Sequence, residues 1–146
     1  MNKLYVFLLS AAIILGSCKT TVNEDSDLPI NGKWVLVNVS GGIAGDIVDV
    51  DTQAERHLVV FGKNNSVSFL YNDSLLCTTS FLIEKRRSIY STDELDFIIY
   101  KSGLEPEVIT YLSNDTLTLA DNNYDGFTRV YIKQSDWTDS IPSSHN

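Results

Sequence analysis

Cysteine and histidine are scarce in this chain of 146 residues, which holds two of each. Two cysteines, Cys18 and Cys77, cannot form a disulfide framework. His57 stands alone and His145 lies almost at the end of the chain. No His/Cys metal cluster and no Gly-x-Ser-x-Gly turn is present, so the sequence names no catalytic residue, and the expectation is a protein that is not an enzyme. Basic residues are also few, with 11 Lys and Arg against 19 Asp and Glu, for a net charge of −8. A surface of that sign repels phosphate backbones, which argues against nucleic acid as a partner. It equally argues against a polybasic grip on anionic lipid. Beyond the first 17 residues no apolar run approaches the about 20 residues that cross a bilayer. No stretch holds a helical period over three turns.

What the chain does have begins at its start. Met1-Asn2-Lys3 is weakly basic, Leu4 to Leu15 is almost wholly apolar, and the segment ends Leu15-Gly16-Ser17-Cys18. A charged beginning, an apolar centre and small residues before a cut describe a secretory signal over residues 1–17. Leu-Gly-Ser followed by Cys resembles the lipobox of bacterial lipoproteins. That resemblance implies a lipid-modified Cys18, carrying acyl chains such as palmitate, in the bacterial cell envelope. Each buried acyl CH2 contributes about 0.8 kcal/mol, so two or three chains would hold the protein on a membrane. A plain cleaved signal with a free Cys, or an uncleaved anchor, are the alternatives. With the signal removed, Lys3 is lost and no acid is, so the net charge moves to about −9.

Residues 18–29 are polar and acidic without any hydrophobic period, and read as a flexible tether. Glu24-Asp25-Ser26-Asp27 resembles the acidic stretches of some surface-exported lipoproteins, although a solvated linker explains the same letters. The tail, 135–146, is polar apart from Trp137 and Ile141. Residues 30–134 between them suit one domain with its own core.

Within that domain the period is two. Trp34, Leu36 and Asn38 alternate with Val35, Val37 and Val39, and Val67, Phe69 and Tyr71 alternate with Ser66, Ser68 and Leu70. Further strand-like runs are Leu58–Phe61, Leu76–Glu84, Leu95–Tyr100, Glu107–Leu112, Thr116–Leu119 and Thr128–Ile132. Turn-formers such as Asn64-Asn65, Asn72-Asp73 and Asn114-Asp115 separate them. Eight short strands in a meander predict an all-β, antiparallel up-and-down β-barrel. The long connection from Ser40 to Arg56 suits a flap or a short helix at the mouth. Cys77 reads as a small buried residue in its strand.

Gly32-Lys33-Trp34 opens the first strand, and Gly-x-Trp there is similar to the lipocalin signature. The run GKWVLVNVSGGIAG, and later NDTLTLADNNYDGFTRVY with Asp125-Gly126-Phe127, resembles the small lipocalin-like lipoproteins of bacteria. The resemblance implies a fold signature of Gly32, Trp34 and Arg129, with the guanidinium lying over the indole. A cation–π contact of that kind contributes about 0.5–2 kcal/mol. It also implies a barrel that binds a small apolar or amphipathic ligand, with no cofactor. Phe69, Tyr71, Phe81, Phe97 and Tyr100 are the candidate ligand-lining residues.

Asp121-x-Asn123-x-Asp125-Gly126 matches the first half of a calcium loop, but its twelfth position is Ile132. A hairpin of turn-formers is the better reading, so no metal is expected there. Lys85-Arg86-Arg87 is a basic spot that reads as a solvated turn or as a mark for an acidic partner. The second functional reading is therefore a protein-interaction module, such as a hydrolase inhibitor or a surface-assembly component. In that case the barrel would be solid and the loops Ser40–Arg56 or Lys85–Asp93 would carry the contact.

Overall fold

A computed structural model describes residues 29–135. The expectations for residues 1–28, Cys18 included, and for 136–146 lie outside the described residues. Nine strands follow one another in chain order. These are β1 (Gly32–Gly41), β2 (Asp46–Asp49), β3 (His57–Gly62), β4 (Ser66–Tyr71), β5 (Ser74–Ser88), β6 (Ser91–Tyr100), β7 (Glu107–Leu112), β8 (Thr116–Asp121) and β9 (Phe127–Lys133). Every neighbouring pair is antiparallel, and β1 pairs with both β3 and β9. That last pairing closes an eight-stranded barrel, with β2 as an extra strand outside the ring. No helix among the described residues is long and apolar enough to cross a membrane.

Turn chemistry sets the registers. Asn64 and Asn65 both adopt positive φ between β3 and β4, as do Asn72 and Asp73 between β4 and β5. Two successive positive φ values make the turn whose twist matches that of paired strands. Asn and Asp tolerate this conformation better than other side chains with a Cβ. A third turn point is more stringent. Gly41 has φ +126°, and a Cβ there would come within 2.2 Å of the Gly126 carbonyl oxygen. Gly41→Ala should therefore cost about 1–3 kcal/mol, read as a lower melting temperature. An unchanged transition would contradict the closeness of β1 and β9 at this point.

Alternation sends one face of each strand inward. Trp34 pairs with Val59, Leu36 with Tyr131, Phe61 with Val67, and Phe81 with Tyr100. These residues form one core cluster with Ile30, Ile98, Leu117 and Leu119. Trp34, Phe61 and Phe81 are fully buried and fill the part of the interior nearest Ile30. Phe61 and Phe81 meet edge to face, with ring centroids 5.1 Å apart. A smaller outer cluster of Leu58, Val60 and Leu70 with Val35 lies on the opposite face of β1, β3 and β4.

Four expectations need correction. The Ser40–Arg56 connection is neither flap nor helix, because β1 runs on to Gly41 and β2 turns back to pair with it. The face shared by Trp34, Leu36 and Asn38 is broken by a bulge between Leu36 and Asn38. One extra residue reverses the alternation, so Val39 packs on the core while Asn38 donates to Asp49 Oδ1 at 2.9 Å. Cys77 is exposed, because the first residues of β5 stand clear of cover on both faces. Lys85-Arg86-Arg87 lies within β5, not in a turn; Lys85 pairs with Asp96 at 3.0 Å and Arg86 with Glu84 at 2.6 Å.

The β5–β6 hairpin has one more feature that bears on the interior. β6 pairs with β7 only at Phe97 and Ile98, so its earlier residues leave the barrel wall. Its tip is tied to the β8–β9 connection instead. Ser88 Oγ and the Ile89 N–H donate to Asn122 Oδ1, and Tyr90 Oη donates to the Asp121 carbonyl at 2.7 Å.

Candidate functional site

Strand register brings charged and phenolic side chains onto the inner face where apolar residues would be expected. Glu107 opens β7 opposite Ile98 on one side and Asp121 on the other. Arg129 pairs with Leu119 and so faces the same way. Arg129 Nη1 donates to Asp121 Oδ1 at 2.8 Å and to Glu107 Oε1 at 3.1 Å. Tyr100 Oη donates to Glu107 Oε2 at 2.5 Å. The second oxygen of Asp121 accepts the Phe127 N–H at 2.9 Å. Glu107, Asp121 and Arg129 are all mostly sheltered from solvent.

These surroundings shift the titrations in opposite directions. Burial is the largest influence on Glu107 and outweighs the Tyr100 hydrogen bond and the Arg129 charge, so its carboxyl is pushed up. Burial pushes Asp121 up too, but the Arg129 hydrogen bond and charge with the Phe127 N–H outweigh it and hold the carboxyl low. Burial lowers Arg129, and its two carboxylate partners more than reverse this. Tyr100 and Tyr131 are both raised, first by burial and then by the charge of Glu107, so both stay protonated.

A cavity of about 370 Å³ adjoins this cluster. Leu36, Val59 and Phe69 form apolar wall; Tyr100, Glu107, Asp121, Arg129 and Tyr131 form polar floor; and His57, Leu76, Leu104 and Glu105 also line it. Leu76 and Leu104 are themselves exposed, which places them at a rim. The volume lies at the small end of the about 300–1,000 Å³ that holds small ligands. A second cleft of about 550 Å³ lies between the β5–β6 hairpin and the β8–β9 connection, lined by Arg86, Arg87, Phe97, Asn122, Asn123 and Arg129 among others.

The five aromatic candidates do not share one site. Phe69 and Tyr100 line the barrel cavity, their rings 5.8 Å apart, while Phe97 lines the second cleft. Tyr71 packs on His57 at 5.0 Å, and Phe81 is part of the filled core. Arg129 does not cover Trp34. Lys133 takes that place, its ammonium 5.1 Å from the ring centroid, because it is Lys133 that pairs with Trp34 across β1 and β9. Asp121 spends its carboxylate on Arg129 and Phe127, and Asn123 and Asp125 do not join it. Among the described residues no three His, Cys, Asp or Glu side chains are grouped to hold a metal ion.

Glu107 and Tyr131 went unnoticed as site residues in the sequence, and Asp121 was weighed only as part of a calcium-like loop, not as a partner of Arg129. A signal was there: Glu107 and Asp121 sit at the ends of β7 and β8, in phase with the core residues Ile109 and Leu119. A period of two places such ends inward as firmly as it places the middle of the strand.

Fold and cavity together define a closed eight-stranded antiparallel barrel, packed solid in one part and hollow beside a buried ion cluster. Comparison with protein-family models, with curated proteins and with solved structures yields no match.

Proposed function

We propose that this chain is a lipocalin-like bacterial lipoprotein, anchored in the cell envelope through a lipidated Cys18, whose barrel binds a small apolar or amphipathic molecule. The observation that supports binding is the cavity of about 370 Å³, whose lining is divided between apolar side chains and hydrogen-bonding groups. Such a division suits a ligand with a hydrocarbon body and a polar end. Binding, not catalysis, is the reading, since the floor pairs its acids with Arg129 and Tyr100 and offers no nucleophile–base arrangement.

Native mass spectrometry of residues 24–146, after exposure to membrane extract from the source cells, tests it. The expected result is a reproducible added mass that leaves on mild activation. A bare mass, under conditions that retain ligand on a known lipocalin, would overturn ligand carriage.

One observation favours the second reading, a protein-contact module. The β1–β2 hairpin exposes Ile43, Ile47 and Val48, with Ile43 93% exposed, and Tyr124 of the β8–β9 connection is 92% exposed. Clustered apolar side chains left in water mark contact surfaces. A bare mass above would direct the search for a partner to this hairpin.

A further inference from the structure

We infer that the barrel cavity selects amphiphiles with a cationic, amine-type head and rejects anionic ones such as fatty-acid carboxylates. This rests on the ligand-binding reading above and names the charge class that the site accepts.

Three observations carry it. The first is the charge on the walls. Three carboxylates, those of Glu105, Glu107 and Asp121, line the cavity, against one guanidinium, that of Arg129. His57, which also lines the cavity, has its Nε2 3.8 Å from a further carboxylate, that of Glu55. Even with a proton on Glu107 the acids outnumber the base. A negative concavity with low-dielectric walls concentrates cations and disfavours anions.

The second is the state of Arg129, the one group that could receive a carboxylate or phosphate. Its Nη1 is shared between Asp121 and Glu107 at 2.8 and 3.1 Å. Its charge is compensated before any ligand arrives. An anionic head would reach a guanidinium whose charge two carboxylates already offset, and would add a third negative group beside them.

The third is Tyr131. The residue is buried to all but 9% and its side chain lines the cavity. Glu107 is close enough to raise its ionisation. The Tyr131 hydroxyl opens onto the cavity beside a carboxylate, where a donor entering from outside can reach it. An ammonium group donates three hydrogen bonds and accepts none. It can meet Glu107 and the Tyr131 oxygen together, and the rings of Tyr100, Phe69 and Tyr131 suit a cation as well as a hydrocarbon stem.

The test uses three probes of one chain length, octylamine, 1-octanol and octanoate, each titrated calorimetrically at neutral pH into the full chain carrying Cys18→Ser. The amine should bind more tightly than the alcohol, and octanoate more weakly than the amine by at least about tenfold, equivalent to about 1.4 kcal/mol. Glu107→Gln should shrink the amine-to-octanoate ratio severalfold. Glu105→Gln, at an exposed position that leaves packing untouched, should shrink it less and serves if the Glu107 variant does not fold. Octanoate binding as tightly as octylamine would overturn the charge inference and leave ligand binding standing. A preference for the amine that neither variant alters would overturn it too, by placing the probe elsewhere. No binding by any of the three would overturn the ligand reading and this inference together.

Discussion

Trp34→Ala should lower the melting temperature by roughly 12–40 °C, from a loss of about 3–5 kcal/mol at about 4–8 °C per kcal/mol in a domain of this size. Trp34 is wholly buried, and it packs in the cluster that joins Ile30, Val59, Phe61 and Tyr131. The barrel is closed around it, so the walls cannot collapse into the void. The indole N–H also donates to the Ile30 carbonyl at 2.8 Å, fixing the chain just before β1. Truncation leaves that buried carbonyl without its donor, a cost of about 1–3 kcal/mol within the total. Trp34→Phe separates the two contributions, since it keeps most of the volume and loses only the donor. Lys133→Met, which removes the cation over the ring, should cost no more than about 0.5–2 kcal/mol. Thermal denaturation of the three variants reads all of this. A small effect of Trp34→Ala would mean that the filled part of the barrel does not depend on its largest side chain.

The contrast between Trp34 and Arg129 shows what could be read from sequence. Trp34 was legible as a core residue because period-two alternation and Gly-x-Trp both point to it. Its partner was not, since the side chain over a ring depends on register across β1 and β9. That register carries a bulge between Leu36 and Asn38 which no local pattern announces. Turns were legible for a local reason. Asn64-Asn65 and Asn72-Asp73 adopt the positive φ values that those residue types permit. The hairpin formed by β1 and β2 was missed because Asp46–Asp49 is exposed on both faces and so carries no alternation of burial. The site was legible only in part. Phe69 and Tyr100 stood out as aromatics, whereas the ion cluster comes from three strands and becomes visible only once β7, β8 and β9 are in register.

Arg129→Leu should destabilise the barrel by about 2–3 kcal/mol at neutral pH, with a deficit that shrinks as the pH falls. Breaking a fully buried ion pair by removing one partner costs about 3–5 kcal/mol. The guanidinium here keeps 28% of its side chain exposed, so water screens part of that loss. What remains are Glu107 and Asp121, cross-strand neighbours left facing one another without their shared cation. The pH dependence follows from the two opposite shifts. Glu107 is held above the ordinary carboxyl value of about 4.3, so the folded state keeps its proton when the unfolded chain has lost it. Its contribution is favourable below that value and is lost as the pH rises through the folded pKa. Asp121 is held below the ordinary value of about 3.9, so it stabilises above that pH and ceases to as the pH falls. Removing Arg129 takes away the cause of the second shift and strengthens the first. The deficit should therefore widen between about pH 4 and pH 7, where the unfolded carboxylates ionise. Glu107→Gln added to Arg129→Leu should recover much of the loss at neutral pH, because one carboxylate no longer faces the other. Denaturant titrations of the single and double variants across this range make the measurement. A deficit independent of pH, with no recovery from Glu107→Gln, would assign Arg129 to packing alone. It would also remove the reason for regarding its charge as already committed within the barrel.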